Sequence, residues 1–366
     1  MYFDERPKIK KEDFYDREKE LKELRSLIKE NKPLIIIKGI RRSGKTSLIR
    51  VVANELKTPY IIVDLRLVNG KSRRDLYNRF QLALNDFFKR NSSIFDKLKE
   101  GLKVISGITV SGVGISLSWR NSDTLYSLIS VLEKENFLII LDEVQEIRGP
   151  IGMELAKLIA HFYDYGKTRF ILTGSEIGLL YDFLGVEDPD APLYGRIYHE
   201  IELSRFTKEQ SVEFLKRGFK QLNINVEEKI LYSITDKLDG IVGWLVKFGV
   251  IASKKQGQIN EGLIDAVLTE ASRLSLNELK HFLDKRPLAK KRYTIILKAI
   301  ANGKNRWTEI KKELEENEKK EIQDASLARY IDSLLKSSFI EKIEKGRNIK
   351  YKITDPVLEF ALKKKK

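Results

Sequence analysis

Eight residues, Gly39-Ile40-Arg41-Arg42-Ser43-Gly44-Lys45-Thr46, constrain this chain more than any other feature. They follow the apolar run Leu34–Lys38 and precede a helical stripe of Leu48, Ile49, Val52 and Leu56. The pattern is G-x-x-x-x-G-K-[ST] at every fixed position, between a strand and a helix, the setting in which it wraps a phosphate. Glycines allow close backbone approach. The amides from Ser43 to Ser47 then point inward at a helix N-terminus, whose dipole favours anions. On this reading Gly39, Ser43, Gly44, Lys45, Thr46 and Ser47 hold a polyphosphate. Lys45 reaches the β- and γ-phosphates and Thr46 ligates Mg²⁺. Arg41 and Arg42 sit inside the loop and point either at the phosphates or at solvent.

A second element agrees with the first. Phe137-Leu138-Ile139-Ile140-Leu141-Asp142-Glu143 is an apolar strand ending in two carboxylates. Asp142 at the strand tip binds Mg²⁺ through water, and Glu143 orients or deprotonates an attacking water. The alternative for the pair is a cap on the next helix. Gln145 positions that water, pairs with a neighbouring loop or lies on a helix surface. Together the two elements predict a P-loop NTPase binding ATP or ADP with Mg²⁺. No N-K-x-D guanine signature is present, which favours ATP.

Further strands are expected at Tyr60–Asp64, Phe170–Thr173 and Ile197–Leu203, with helical stripes between them. Near-continuous apolar runs mark strands covered on both faces, so the fold class is α/β with a parallel sheet. Asp64, at the end of the second strand, either supports the site from behind or is a turn residue, with the turn favoured. Lys45 and Asp142 are 97 residues apart, long for such a core, and an insertion at about 69–132 accounts for the excess. Within it, 73–99 reads as mostly helix and 101–119 as a hairpin. Residues 207–285 are helical throughout. From Arg286 three helices and two strands around Lys345-Gly346-Arg347-Asn348 outline a winged helix-turn-helix. The expected domains are a P-loop core at 1–205, a helical lid at 206–285 and a winged helix at 286–366.

Composition excludes several chemistries. The 366 residues contain no cysteine and three histidines, which removes disulfides, thiolate metal sites and cysteine nucleophiles. Met1 to Glu12 is charged, without an apolar leader, and no run of 18 apolar residues exists, so a soluble cytoplasmic protein with no membrane contact is expected. Net charge is +15, and residues 286–366 hold 22 Lys and Arg against 12 Asp and Glu. That excess suggests a polyanion, with Ser326, Arg329, Tyr330, Ser333 and Lys336 facing a DNA groove and Lys345 and Arg347 touching phosphate. Against it stand Asp324, Asp332 and six glutamates between Glu309 and Glu321. A protein partner is the other reading of the winged helix, and the last four lysines read equally as a solvated tail. The oligomeric state is open.

The motifs resemble a family. Phe14-Tyr15-Asp16-Arg17-Glu18-Lys19-Glu20-Leu21 is similar to the F-x-x-R-E-x-E-L opening of archaeal ATPases of the STAND class, relatives of AAA+ ATPases. Asp142-Glu143-Val144-Gln145 resembles their D-E-x-Q, Leu172-Thr173-Gly174-Ser175 their sensor strand and Leu193-Tyr194-Gly195-Arg196 their G-R motif. Tyr351-Lys352-Ile353-Thr354-Asp355-Pro356 resembles their Y-x-I-x-D-P ending. The resemblance implies an ATPase core, a helical lid and a winged helix. It implies Asp16 and Arg17 beside the adenine, and Thr173 or Ser175 sensing the γ-phosphate. It implies Arg196 as a catalytic arginine in cis or in trans; otherwise Arg196 is a surface or strand-entry arginine. The lid's G-x-P sensor is not matched, since Gly240-Ile241-Val242-Gly243 has no proline. The expected function is a slow ATPase switch coupling nucleotide state to DNA or a protein. The alternative is a DNA-binding replication initiator in which nucleotide is mainly structural.

Overall fold

The computed structural model describes residues 1–68, 72–255, 259–346 and 348–364. It divides into two compact units, one of residues 7–203 and one of residues 1–6 with 204–366.

The first unit is built on a five-stranded parallel sheet. Its strands are β1 (Leu34–Lys38), β2 (Tyr60–Asp64), β5 (Leu138–Asp142), β6 (Arg169–Gly174) and β7 (His199–Glu202), in the order β2-β5-β6-β1-β7. Successive side chains on a strand point to opposite faces, and here both faces are dry. Leu34, Ile36, Ile61, Val63, Ile139, Leu141, Phe170 and Leu172 share one cluster, while Ile35, Ile37, Leu138, Ile140 and Ile171 share another. That is why the strands read as unbroken apolar runs. Helices α1 (Glu18–Lys29) and α2 (Lys45–Glu55) cover the second face. The first face is covered by α3 (Arg73–Arg90), α4 (Ser92–Lys103), the hairpin of β3 (Ile108–Ser111) and β4 (Gly114–Leu117), α5 (Asp123–Lys134), α6 (Gly149–Tyr165) and α7 (Ile177–Leu184). The segment expected as an insertion therefore shares the main core. Leu76, Phe80, Leu84, Phe88 and Phe95 pack in one cluster with the strand residues. Residues 69–71, where it was expected to begin, lie outside the described residues.

The second unit contains α8 (Lys208–Lys220), α9 (Glu228–Leu238), α10 (Val242–Ser253) and α11 (Glu261–Asp284). It continues through α12 (Lys290–Ala301), α13 (Trp307–Glu318), α14 (Asp324–Lys336), the antiparallel pair β8 (Ile340–Lys345) and β9 (Asn348–Ile353), and α15 (Pro356–Lys364). Three helices and a hairpin form the winged helix. The 24-residue α11 crosses position 261–284 and lends Leu279, Phe282 and Leu283 to the winged-helix core. Asp355 joins the two parts. Its carboxylate accepts from Trp244 Nε1 at 2.9 Å and Ser275 Oγ at 2.7 Å, and from its own helix at Val357 N. Arg205 forks Glu341 and donates to the Thr354 carbonyl at 2.7 Å. In α14, Tyr330 is half-buried: its hydroxyl accepts from Arg292, and its ring sits edge-on to Tyr293. It is thus committed inward, unlike the exposed Arg329. Lys345 ends β8; Arg347, Lys365 and Lys366 lie outside the described residues.

Residues 1–6 belong to this second unit through Phe3. Its ring lies 4.9 Å from that of Phe219, and a Cβ on Gly218 or Gly249 would come within 2.3 Å of it. Those two helical glycines are the slot that admits the ring. Phe3→Ala empties the slot and is expected to cost about 3 kcal/mol. Calorimetric unfolding checks this as a lowered transition; an unchanged profile would mean that the terminus contributes nothing. Among the described residues no helix is long and apolar enough to cross a membrane.

Candidate functional site

In a parallel sheet the carboxyl ends of the strands form one edge, where loops converge. Here that edge carries Lys38, Asp64, Asp142 and Gly174, with Asp64 opposite Asp142 and Lys38 opposite Gly174 in register. The loop after β1 bends through Arg42 and Gly44, both at positive φ (67° and 98°). Gly39 has no room for a side chain: a Cβ would lie 2.7 Å from the Leu203 carbonyl oxygen and 2.8 Å from Ser43 Oγ. The first α2 bond runs from Leu48 N–H to the Gly44 carbonyl, so the amides of Lys45, Thr46 and Ser47 precede the helical ladder. Lys45 is buried. Its Nζ donates to the Gly39 and Ile40 carbonyls at 2.8 and 3.2 Å and lies 3.8 Å from Glu143 Oε1.

The tip of β5 completes the site. Thr173 Oγ1 donates to Asp142 Oδ1 and accepts from the Glu143 amide at 3.1 Å. Glu143 adopts a left-handed conformation (φ 56°) that turns its side chain back toward the loop. Its Oε2 accepts from Gln145 Nε2 at 2.6 Å, Ser175 Oγ at 2.6 Å and Ser175 N at 3.0 Å. Burial alone would raise the Glu143 pKa, but the Lys45 ammonium and these hydrogen bonds outweigh it and hold the carboxyl below its ordinary range. Burial pushes Lys45 down, against the opposing pull of Glu143 and Asp142. Asp142 is raised by burial, with the Thr173 bond opposing.

The Asp142 shift has a sign for stability. A folded carboxyl raised above its unfolded pKa binds its proton more tightly when folded. That contribution is full below the unfolded pKa and is lost as pH rises through the folded one. At neutral pH the ionised group is then a cost. Asp142→Asn keeps an acceptor for Thr173 and removes the charge. The variant is expected to melt higher than the parent without nucleotide at about pH 7, with the gap closing toward about pH 3. A lower melting point at pH 7 would contradict it.

The other expected residues divide by place. Arg41 Nη2 donates to Glu176 Oε1 at 2.8 Å, so it faces a carboxylate at the loop rather than open solvent. Asp16 and Arg17, both at positive φ, lead into α1. The far end of that helix is tied to the start of β6, where Arg169 Nη1 donates to the Ile28 carbonyl. Arg17 therefore lies at the same sheet edge as the phosphate-type loop, with Nη1 donating to Glu20 at 3.1 Å. The chain before it runs along α2, Lys8 N–H donating to Ser47 Oγ at 3.0 Å. Arg196 is elsewhere. It precedes β7 and pairs with Asp164 at the end of α6, Nε to Oδ1 3.1 Å, on the opposite edge of the sheet. A five-residue strand, about 17 Å, separates the two edges.

Two residues at the site were not anticipated. Arg66 forks Asp64 at 2.9 and 2.7 Å and brings Nη2 to 4.0 Å from Asp142 Oδ2. Asp64 is thus the turn residue expected, and it also aims Arg66. Glu176 receives Arg41 and is raised by its burial. The signal available was position, since both directly follow strands at the binding edge.

The loop fits a polyphosphate. Among the described residues Ser43 Oγ is buried with no hydrogen-bond partner, the Gly39 Cβ position is closed, and one buried ammonium stands at the helix start. Among the described residues no cluster of three or more His, Asp or Glu forms a metal site of its own.

Residues 14–248 match the model of an ATPase domain found predominantly in Archaea. The chain belongs to that ATPase family. Residues 287–354 match the C-terminal winged helix-turn-helix domain of MCM proteins. Among solved structures, the chain is similar to the Walker-type ATPase of Pyrococcus abyssi, 35% identical over 99% of each chain with a TM-score of 0.80. It is also similar to Cdc6p of Pyrobaculum aerophilum, 16% identical over 94% of this chain and 92% of that one, TM-score 0.50, a likeness of fold. No protein with a curated description matches. Membership in the archaeal ATPase family carries nucleotide binding and ATPase activity in general.

Proposed function

We propose that this ATPase is a slow, STAND-class molecular switch whose nucleotide state is passed from a core at 1–205 through a lid at 206–285 to a winged helix at 286–366. The observation that carries the reading is the single buried network Lys45–Glu143–Ser175 and Thr173–Asp142 around the loop after β1. Bound Mg²⁺·ATP supplies the phosphoanhydride to be cleaved. Gly39, Ser43, Gly44 and the amides of Lys45, Thr46 and Ser47 hold its phosphates. Lys45 exchanges the Gly39 and Ile40 carbonyls for phosphate oxygens. Thr46 and Asp142 hold the metal, Arg41 and Arg42 add positive charge at the loop, and Asp16 and Arg17 border the base. Glu143 orients the water and takes its proton, which its ionised state allows. Thr173 and Ser175 register whether the γ-phosphate is present. Turnover is slow because Glu143 Oε2 already accepts three hydrogen bonds and Arg196 is paired with Asp164; Arg196 would act on a site in another copy.

Duplex DNA is the proposed partner of the winged helix, favoured by its charge excess and exposed Arg329. Turnover measured with and without duplex DNA, and gel mobility at two salt concentrations, test it. DNA contact is expected to steepen the log–log salt slope by about 0.9 per phosphate touched. Absence of any salt-dependent shift would turn the proposal to a protein partner.

A further inference from the structure

Beside the site, on the outer side of the D-E-x-Q turn, is an open cavity of about 560 Å³ within the first unit. Its walls include Ile147, Met153, Leu179 and Phe183, from the turn, α6 and α7, with Asp188 at the mouth. Gln145 lines it too. That side chain is 1% exposed, and its Oε1 has no hydrogen-bond partner among the described residues, while its Nε2 holds Glu143. A buried amide oxygen left without a donor is unfavourable, and this one packs beside Gly174, where a Cβ would lie 2.8 Å from it, so a donor from the cavity reaches it once the Gln145 side chain turns.

Two links run from this cavity to the phosphate loop. One is Gln145 to Glu143 at 2.6 Å. The other starts at Arg148, which lines the cavity, donates to the Gln145 carbonyl at 3.2 Å and stands 3.9 Å from Glu176; Glu176 in turn accepts from Arg41 of the loop. The mouth has a charge of its own. Residues 177–192 hold Asp182, Glu187, Asp188 and Asp190 and no Lys or Arg, in a chain of net charge +15. Those four carboxylates are exposed.

We propose that this cavity is a docking site for a protein partner's segment that presents apolar side chains beside lysine or arginine, and that its occupation speeds hydrolysis by drawing Gln145 off Glu143. The second half rests on the reading of Glu143 as the residue that activates water. Apolar side chains fill the walls, the cation meets the acidic mouth, and a backbone N–H serves Gln145 Oε1. One of the three hydrogen bonds on Glu143 Oε2 is then released, which frees a lone pair there for the attacking water.

The chain has two methionines, Met1 and Met153, so ¹³C-methyl methionine labelling gives one reporter in the cavity and one in the other unit. The probes are acetylated, amidated tetrapeptides of sequence Lys-Leu-Leu-Lys, Glu-Leu-Leu-Glu and Lys-Ser-Ser-Lys. The full-length protein is expected to show a saturable shift of the Met153 signal, and not of Met1, with the first peptide alone, up to about 1 mM. ATP turnover should rise about fivefold or more with it. Glu187→Lys with Asp188→Asn, both on the exposed rim, should abolish the shift and leave basal turnover unchanged. No Met153 shift with any peptide overturns the site. Equal shifts with the acidic peptide overturn the partner class and leave a general apolar pocket, as for a small molecule. A Met153 shift with unaltered turnover overturns the coupling. Absence of turnover under every condition would instead overturn the proposed function, and the Met153 titration would still decide the cavity.

Discussion

A Glu143→Gln protein is expected to bind Mg·ATP as the parent does and to lose turnover by about 10²- to 10⁴-fold, the usual share of a positioned general base. The side chain accepts all three of its hydrogen bonds through one oxygen, so glutamine can keep them: its carbonyl oxygen accepts from Ser175 and Gln145 as Oε2 does. What is lost is the electrostatic partner of Lys45 and, in the proposed mechanism, the charge that receives the water proton. Single-turnover hydrolysis and equilibrium nucleotide binding, measured on the same preparation, separate the two roles. Loss of binding together with turnover would make Glu143 a structural member of the network. The pH dependence has a sign as well. A carboxyl held below its ordinary value stabilises the fold above the unfolded pKa and gives that contribution up as pH falls through the folded one. The Gln variant should therefore lose part of the parent's acid sensitivity.

The second large effect is expected for Lys45→Ala. Its ammonium is buried and in contact with both the loop carbonyls and Glu143. Truncating one side of a buried, hydrogen-bonded charge pair costs about 2–5 kcal/mol, which in affinity is about thirtyfold or more. Turnover is expected to fall further, because in the proposed mechanism the same charge is needed as negative charge shifts on the phosphates. The alanine also leaves Glu143 buried without its cation, so its pKa should rise.

The parallel sheet was legible because its strands are dry on both faces, which leaves unbroken runs such as Leu34–Ile37 and Leu138–Leu141. The loop and the D-E pair were legible because their spacing is dictated by local geometry at strand ends. The remainder depends on contacts distant in sequence. Phe3 finds its slot at Gly218 and Gly249, more than 200 residues on, and nothing in a polar N-terminus announces it. Asp355 was visible as part of a motif, but its hold on Trp244 and Ser275 was not. Tyr330 fits an outward position by helical spacing and is turned inward by Arg292 of another helix. Arg66 carries no motif and matters only because β2 lies beside β5. Arg196 matches its motif, and only the direction of β7 reveals that it stands at the far edge.

In the proposed function the bend at 39–46 holds a polyphosphate through backbone amides and Lys45. The most direct measurement is a calorimetric titration of Mg·ATP, ADP and adenosine into the parent and the Lys45→Ala protein. The parent is expected to bind both phosphorylated ligands, adenosine far more weakly, and the variant to lose at least about thirtyfold in ATP affinity. Equal affinity for adenosine and ATP, or an unchanged ATP affinity in the variant, would contradict it.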